Sequence, residues 1–167
     1  MFVGEGPGYY EDRDGRPFIG QAGKLLDEML AKIGLDRQDV YVTNMVKCRP
    51  PNNRDPLPEE LSACAPYLDK QIEIISPRVI VCLGRFSFSK FFPGETISKA
   101  RGRPRNWNGI KVYPMYHPAA ALHNPKLKPA IEKDFRNLPA LIEQVNQATQ
   151  DAPEPEQTPA RQLSMFE

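Results

Sequence analysis

Cysteine is scarce in this chain, histidine scarcer, and a membrane-length apolar run is absent. Three cysteines among 167 residues cannot all pair. With no leader peptide in view, the sequence reads as a cytoplasmic protein of a reducing compartment, not a disulfide-framed secreted domain. The only two histidines, His117 and His123, flank a proline and are too few for a hydrolytic metal site. Net charge is also low, at +1, but the balance is uneven. Residues 151–167 hold Asp151, Glu154, Glu156 and Glu167 against Arg161 alone, so the body is basic and the tail acidic. Within the body, KARGRPR packs Lys99, Arg101, Arg103 and Arg105 into seven positions, which fits either a solvated loop or a phosphate-contacting rim.

What is present alternates. Met1 to Gly4 reads as the end of a strand. Leu25, Leu26, Met29, Leu30 and Ile33 follow at helical spacing, stopped by Gly34. VYVTN at 40–44 is a second strand, RPPNNRDPLP a loop, and 59–75 a second helix. VIVCL at 79–83 is a third strand, 86–92 a short aromatic helix, 111–116 a fourth strand, and about 128–146 a final helix. Strands alternating with helices predict an α/β fold, a three-layer α/β/α sandwich around a central, mainly parallel four-stranded sheet. The length suits one domain at 1–146, followed by a flexible segment at 147–167.

In such sheets ligands bind beyond the carboxyl ends of the strands. The residues there are Glu5 to Gly8, Asn44, Gly84 with Arg85, and His117 with Pro118. The opening GEGPG suggests a phosphate loop, but Pro7 interrupts the run, no helix with apolar periodicity opens on it, and no Gly-Lys-Ser/Thr follows. A glutamate, a phenylalanine, an asparagine and a histidine can instead hold a planar heterocycle. The amide pairs with a base edge, the ring stacks on its face, and the imidazole stabilises charge developing on a carbonyl oxygen.

The stretches GEGPG, GRPFIGQAGKLL, VYVTNMVKCRPPNNRDPLP, VIVCLGR and YHPAAALHNP, with the spacing of Cys48 and Cys64, resemble the family 4 uracil-DNA glycosylases, the iron-sulfur, thermostable type. The resemblance runs in order from residue 1 to about 142 and implies a monomeric repair enzyme. Its reaction would be hydrolysis of the N-glycosidic bond of uracil in DNA, leaving an abasic site. It implies catalytic roles for Glu5 and His117 and a backbone approach to the nucleotide at Gly6 and Pro7. Glu11 would bar the 5-methyl of thymine, Phe18 would stack on uracil, and Asn44 would read its edge. DNA contacts would come from Arg85, Lys99, Arg101, Arg103, the wedge Leu122 and the following His123, where the family usually carries Arg. A non-catalytic DNA-binding module of the same fold, or a glycosylase for another deaminated base, are the alternatives.

The resemblance further implies a 4Fe-4S cluster held by four cysteines, of which only Cys48 and Cys64 are matched here. Cys82, in an apolar strand, reads as a buried small hydrophobe. The family's other two cysteines lie upstream of the first strand, so the sequence is expected to be an amino-terminal truncation or to have a misplaced start, the alternative being a cluster-free variant. Finally, QLSMF near the carboxyl end resembles the peptide that binds the bacterial sliding clamp, with Gln162, Leu163 and Phe166 as anchors.

Overall fold

The structure, a computed structural model, describes residues 1–150 and the side chains of 1–148. The candidate clamp peptide lies outside the described residues. Among the described residues, five short strands form one sheet: β1 (Phe2–Gly4), β2 (Val42–Asn44), β3 (Val79–Leu83), β4 (Arg105–Trp107) and β5 (Ile110–Met115). Their order is β2-β1-β3-β5-β4. The first four in that order run parallel, and β4 pairs antiparallel with β5 at the edge. Four strands are expected from the sequence. The fifth arises where the basic stretch turns back through Asn108 and Gly109, both at positive φ, and Arg105–Trp107 borrows the free edge of β5.

Alternation along each strand sorts side chains to two cores. Phe2, Val81, Leu83, Tyr113 and Met115 face one layer, built by α2 (Gln21–Ala31), α6 (Pro118–His123) and α7 (Lys128–Gln150). Val3, Ile80, Cys82 and Val112 face the other, built by α3 (Pro58–Ile75), α4 (Arg85–Phe91) and α5 (Ile97–Ala100). Cys82 is fully buried and burial pushes its thiol pKa up, as a packed hydrophobe requires. Helix α2 ends as its sequence predicts: the amide of Leu35 returns to the carbonyl of Leu30 at 3.1 Å while Gly34 adopts φ 74°.

Three α-helices depart from the sequence reading, the four-residue α5 and two at the strand ends. Tyr9–Asp14 is a short helix, α1, opening directly on the glycine-rich segment, where only loop is expected. Its six residues are too few to show apolar periodicity. Pro118–His123 is likewise helical, started by a proline at its first position and by the His117 ring, whose Nδ1 accepts the amide N–H of Ala119 at 3.1 Å. Both helices begin at carboxyl ends of strands, around the point between β1 and β3 where the strand order reverses. That is where an open parallel sheet forms its crevice.

Candidate active site

Gly4 ends β1 and is the floor of the site. A Cβ there would collide with the Asn44 amide oxygen and come within 2.6 Å of the Phe18 ring. The bare backbone of GEGPG therefore admits two side chains to one spot. Asn44, the last residue of β2, is buried, and its Oδ1 has no hydrogen-bond partner. An acceptor left unpaired in a folded protein costs on the order of 1–3 kcal/mol and points to a ligand N–H.

Phe18 lies above this acceptor. It is 6% exposed, as the core alternative for a lone phenylalanine requires, yet its backbone sits at φ 57°, rare and strained for a bulky residue. Three features hold it there. Glu11 Oε1 accepts the amides of Ile19 at 3.1 Å and Gly20 at 2.8 Å. Arg37 donates to the carbonyl of Pro17 at 2.6 Å. Gly23 of α2 leaves room for the Phe18 carbonyl, which any Cβ would overlap. The family resemblance implies a place for Glu11 at the base's methyl group. The structure commits its carboxylate first to the loop that carries Phe18.

His117 follows β5. Its ring lies 26° from parallel to Phe18, with centroids 5.4 Å apart. Because Nδ1 accepts from Ala119, the neutral imidazole carries its proton on Nε2, leaving that N–H free to donate. Burial lowers its pKa to about 4, opposed only in part by the charge of Glu11. Near neutral pH the ring is an uncharged donor.

Glu5 stands at the rim. Burial, then the nearby charge of Asp55, raises its carboxyl pKa, while Arg85 lowers it. Arg85 is ion-paired with Asp55 and covers the Phe86 ring at 4.4 Å. Gly6 packs on Val46, and Pro7 lines a groove of about 480 Å³ with Glu11, Asn44, Thr43 and Lys47. A larger cavity of about 610 Å³, around Met1, Arg78, Val79 and Leu138, lies at the amino ends of the strands and holds none of these residues.

The remaining candidates lie outside this pocket. Leu122 is 47% exposed and His123 is exposed at the end of α6. Lys99 and Arg103 face solvent, whereas Arg101 turns inward. It binds both carboxylate oxygens of the buried Asp134, at 3.0 and 2.9 Å, and the Ala130 carbonyl at 2.7 Å. Arg105 pairs with Glu95. Charge density in the sequence cannot separate a rim cation from one that anchors its loop.

Cys48 is exposed, and the half-buried Cys64 accepts the amide of Lys47 at 3.4 Å. The second thiol thus returns to the residue beside the first. Among the described residues no group of three or more His, Cys, Asp or Glu side chains converges on a metal position. Two thiols do not make up the four ligands of a 4Fe-4S cluster. The described residues alone do not fit that cofactor.

Sequence reading misses Arg37 and Lys47. The Lys47 ammonium ties together the Thr43 hydroxyl, the Asn44 carbonyl and the Gln71 side chain at 2.8–2.9 Å, fixing the strand end that presents Asn44. Gly23 inside a helix is a signal of close backbone approach that the sequence does offer.

A parallel sheet whose switch point holds an aromatic ring, a buried unpaired amide acceptor and a neutral imidazole donor is an α/β fold with the groups needed to hold a planar heterocycle. The model of the uracil DNA glycosylase superfamily matches residues 1–145. A type-4 uracil-DNA glycosylase of Sulfurisphaera tokodaii is 54% identical over 151 residues, covering 84% of this chain and 69% of the relative. Another, of Saccharolobus solfataricus, is 52% identical over 148 residues, with 83% and 68% covered. That of Archaeoglobus fulgidus is 52% identical over 150 residues, with 84% and 75% covered. The chain belongs to the uracil-DNA glycosylase superfamily and, within it, to the type-4 family.

Proposed function

We propose that this protein is a uracil-DNA glycosylase that hydrolyses the bond between uracil N1 and deoxyribose C1′ in DNA, releasing uracil and leaving an abasic site. The observation that carries the residue assignment is the unpartnered Oδ1 of Asn44 beside the Phe18 ring. Uracil offers N3–H between two carbonyl oxygens. Its N3–H answers the orphaned acceptor, and the same amide's NH₂ meets O4. Cytosine presents a lone pair at N3 and leaves the buried oxygen unpaired, a mismatch that polar sites reject by about 10⁴–10⁵.

The base stacks on Phe18. The Phe18 and His117 rings lie 26° from parallel with centroids 5.4 Å apart. A base over Phe18 then meets the imidazole at its edge, with the Nε2–H of His117 directed to O2. As the C1′–N1 bond breaks, its electron pair moves onto uracil, and the sugar gains oxocarbenium character. The Nε2–H stabilises the anion by hydrogen bonding, because an imidazole with pKa about 4 is not a proton source near neutrality. One such donor contributes on the order of 3 kcal/mol. Glu5, with its raised pKa, orients water toward C1′ and takes the proton released as the new C–O bond forms.

Gly6 and Pro7 shape the backbone beside the nucleotide, and Glu11 is proposed to stand near the base's C5 as well as holding the loop. Leu122 is the wedge entering the vacated base stack, with His123 beside it. Lys99, Arg103 and Arg85 meet phosphates. Cys48 and Cys64 are proposed as two thiolate ligands of an iron–sulfur cluster, supported by the hydrogen bond that the Lys47 amide, next to Cys48, donates to the Cys64 sulfur; no step of the reaction passes through it. The glycosylase domain is proposed to span 1–146, although α7 continues to Gln150. Gln162, Leu163 and Phe166 are proposed to dock on a sliding clamp, tested by comparing a peptide of residues 157–167 with its Leu163→Ala, Phe166→Ala form. No helix among the described residues is long and apolar enough to cross a membrane. The activity is tested by mass detection of free uracil from a uracil-containing oligonucleotide, with His117→Ala as the control.

A further inference from the structure

We propose that Arg37 is a positioning residue for base excision, acting through Phe18; this rests on the glycosylase reading above. Phe18 combines a left-handed backbone, φ 57°, with a bulky side chain, and such a residue persists only where its surroundings over-determine it. The peptides on either side of it are held by side chains of opposite charge. Ile19 and Gly20 donate to Glu11, and the Pro17 carbonyl accepts from Arg37 at 2.6 Å. The guanidinium also lies over the Phe18 ring, 6.0 Å from its centroid.

Arg37 is itself well held. It opens a 3₁₀ turn, Arg37–Asp39, capped by the bond from the Asp36 amide to the Asp39 carboxylate at 2.7 Å. Asp27 of α2 accepts from its other nitrogen at 3.4 Å. Arg37 is half-buried, and its polar bonds run to the Phe18 loop and to Asp27. Without it the Pro17 carbonyl loses its side-chain partner, the strained backbone of Phe18 is held by the Glu11 bonds alone on one side, and the ring shifts from its place over Gly4 and beside His117. Base affinity and excision both fall, with little change in the fold.

The test is a double-substitution cycle on the full chain with a uracil-containing single strand, measured well below the melting transition. Arg37→Gln is expected to lower kcat/KM by about ten- to a hundredfold, the range for a small misplacement at a reacting centre. It also weakens inhibition by free uracil. In a Phe18→Ala background the same substitution changes kcat/KM by less than about twofold, because the residue through which it acts is gone. Arg37→Lys, which keeps charge and one donor, recovers part of the loss. Wild-type kcat/KM in Arg37→Gln, a full effect that persists without Phe18, or a loss that tracks melting temperature alone would each overturn the proposal. Absence of uracil release by the unsubstituted chain would overturn the glycosylase reading instead.

Discussion

Phe18 and His117 are far apart in the sequence, yet their rings lie 5.4 Å apart and 26° from parallel, one on a strained loop and the other at the start of a helix. The relationship depends on backbone more than on the rings. Gly4 and Gly23 clear space for Phe18, and the Ala119 amide fixes the histidine's tautomer. Each support makes a separate expectation.

Asn44, with its buried and unpartnered Oδ1, is the residue proposed to read the base edge. Asn44→Ala is expected to cost more than about 2 kcal/mol in kcat/KM for uracil release, since the base's polar edge then enters a buried pocket unread. Single-turnover kinetics on matched oligonucleotides measure it. Melting temperature is expected to hold, because the amide oxygen has no partner in the folded chain to lose.

The Glu11 carboxylate accepts two backbone amides next to Phe18. Glu11→Gly is therefore expected to reduce uracil excision strongly, with about 1.5–3 kcal/mol at stake for a hydrogen bond to a charged group. Glu11→Gln keeps an acceptor and is milder. If Glu11 also bars the thymine methyl, any gained excision from T:G pairs is small, as one methyl is worth about 1–3 kcal/mol. Paired assays on U:G and T:G duplexes measure both effects.

In the basic segment the structure separates cations that the sequence presents alike. Arg101→Ala is expected to destabilise the fold by about 3–5 kcal/mol, because it strands the buried Asp134. Lys99→Ala and Arg103→Ala leave stability within about 0.5 kcal/mol. Each instead lowers the salt dependence of DNA binding by about one phosphate contact. Denaturant melts and binding titrations across salt concentrations distinguish the two classes.

Protonation of His117 links folding to pH. Its pKa falls from 6.5 in the open chain to about 4 when folded, so between these values the unfolded state binds more protons. Stability is fully present above pH 6.5 and is lost progressively as pH falls toward 4, by about 3 kcal/mol in all. Denaturant unfolding at a series of pH values is expected to show this slope in the wild type and a flatter one in His117→Gln.

The alternating pattern made the sheet and the larger helices legible, because Leu25 to Ile33 and Val79 to Leu83 state their periods plainly. The antiparallel β4 was not legible: of its three residues only Trp107 is apolar, too few to show a period, and their pairing follows from the turn at Asn108–Gly109. Asn44 and His117 could be placed at strand ends from the sequence. The support for Phe18 could not, since Arg37 reaches Pro17 across 20 positions through a bond that no local pattern encodes. Arg101 resembles its neighbours until the fold brings Asp134 beneath it.

Release of free uracil from a U:G duplex tests the central claim most directly, read by mass alongside alkali-sensitive strand cleavage in the wild type and in His117→Ala. The account predicts stoichiometric uracil and abasic sites from the wild type, with a loss of about 10²–10³ in rate for His117→Ala. Background release by the wild type, or equal rates for the two proteins, would contradict it.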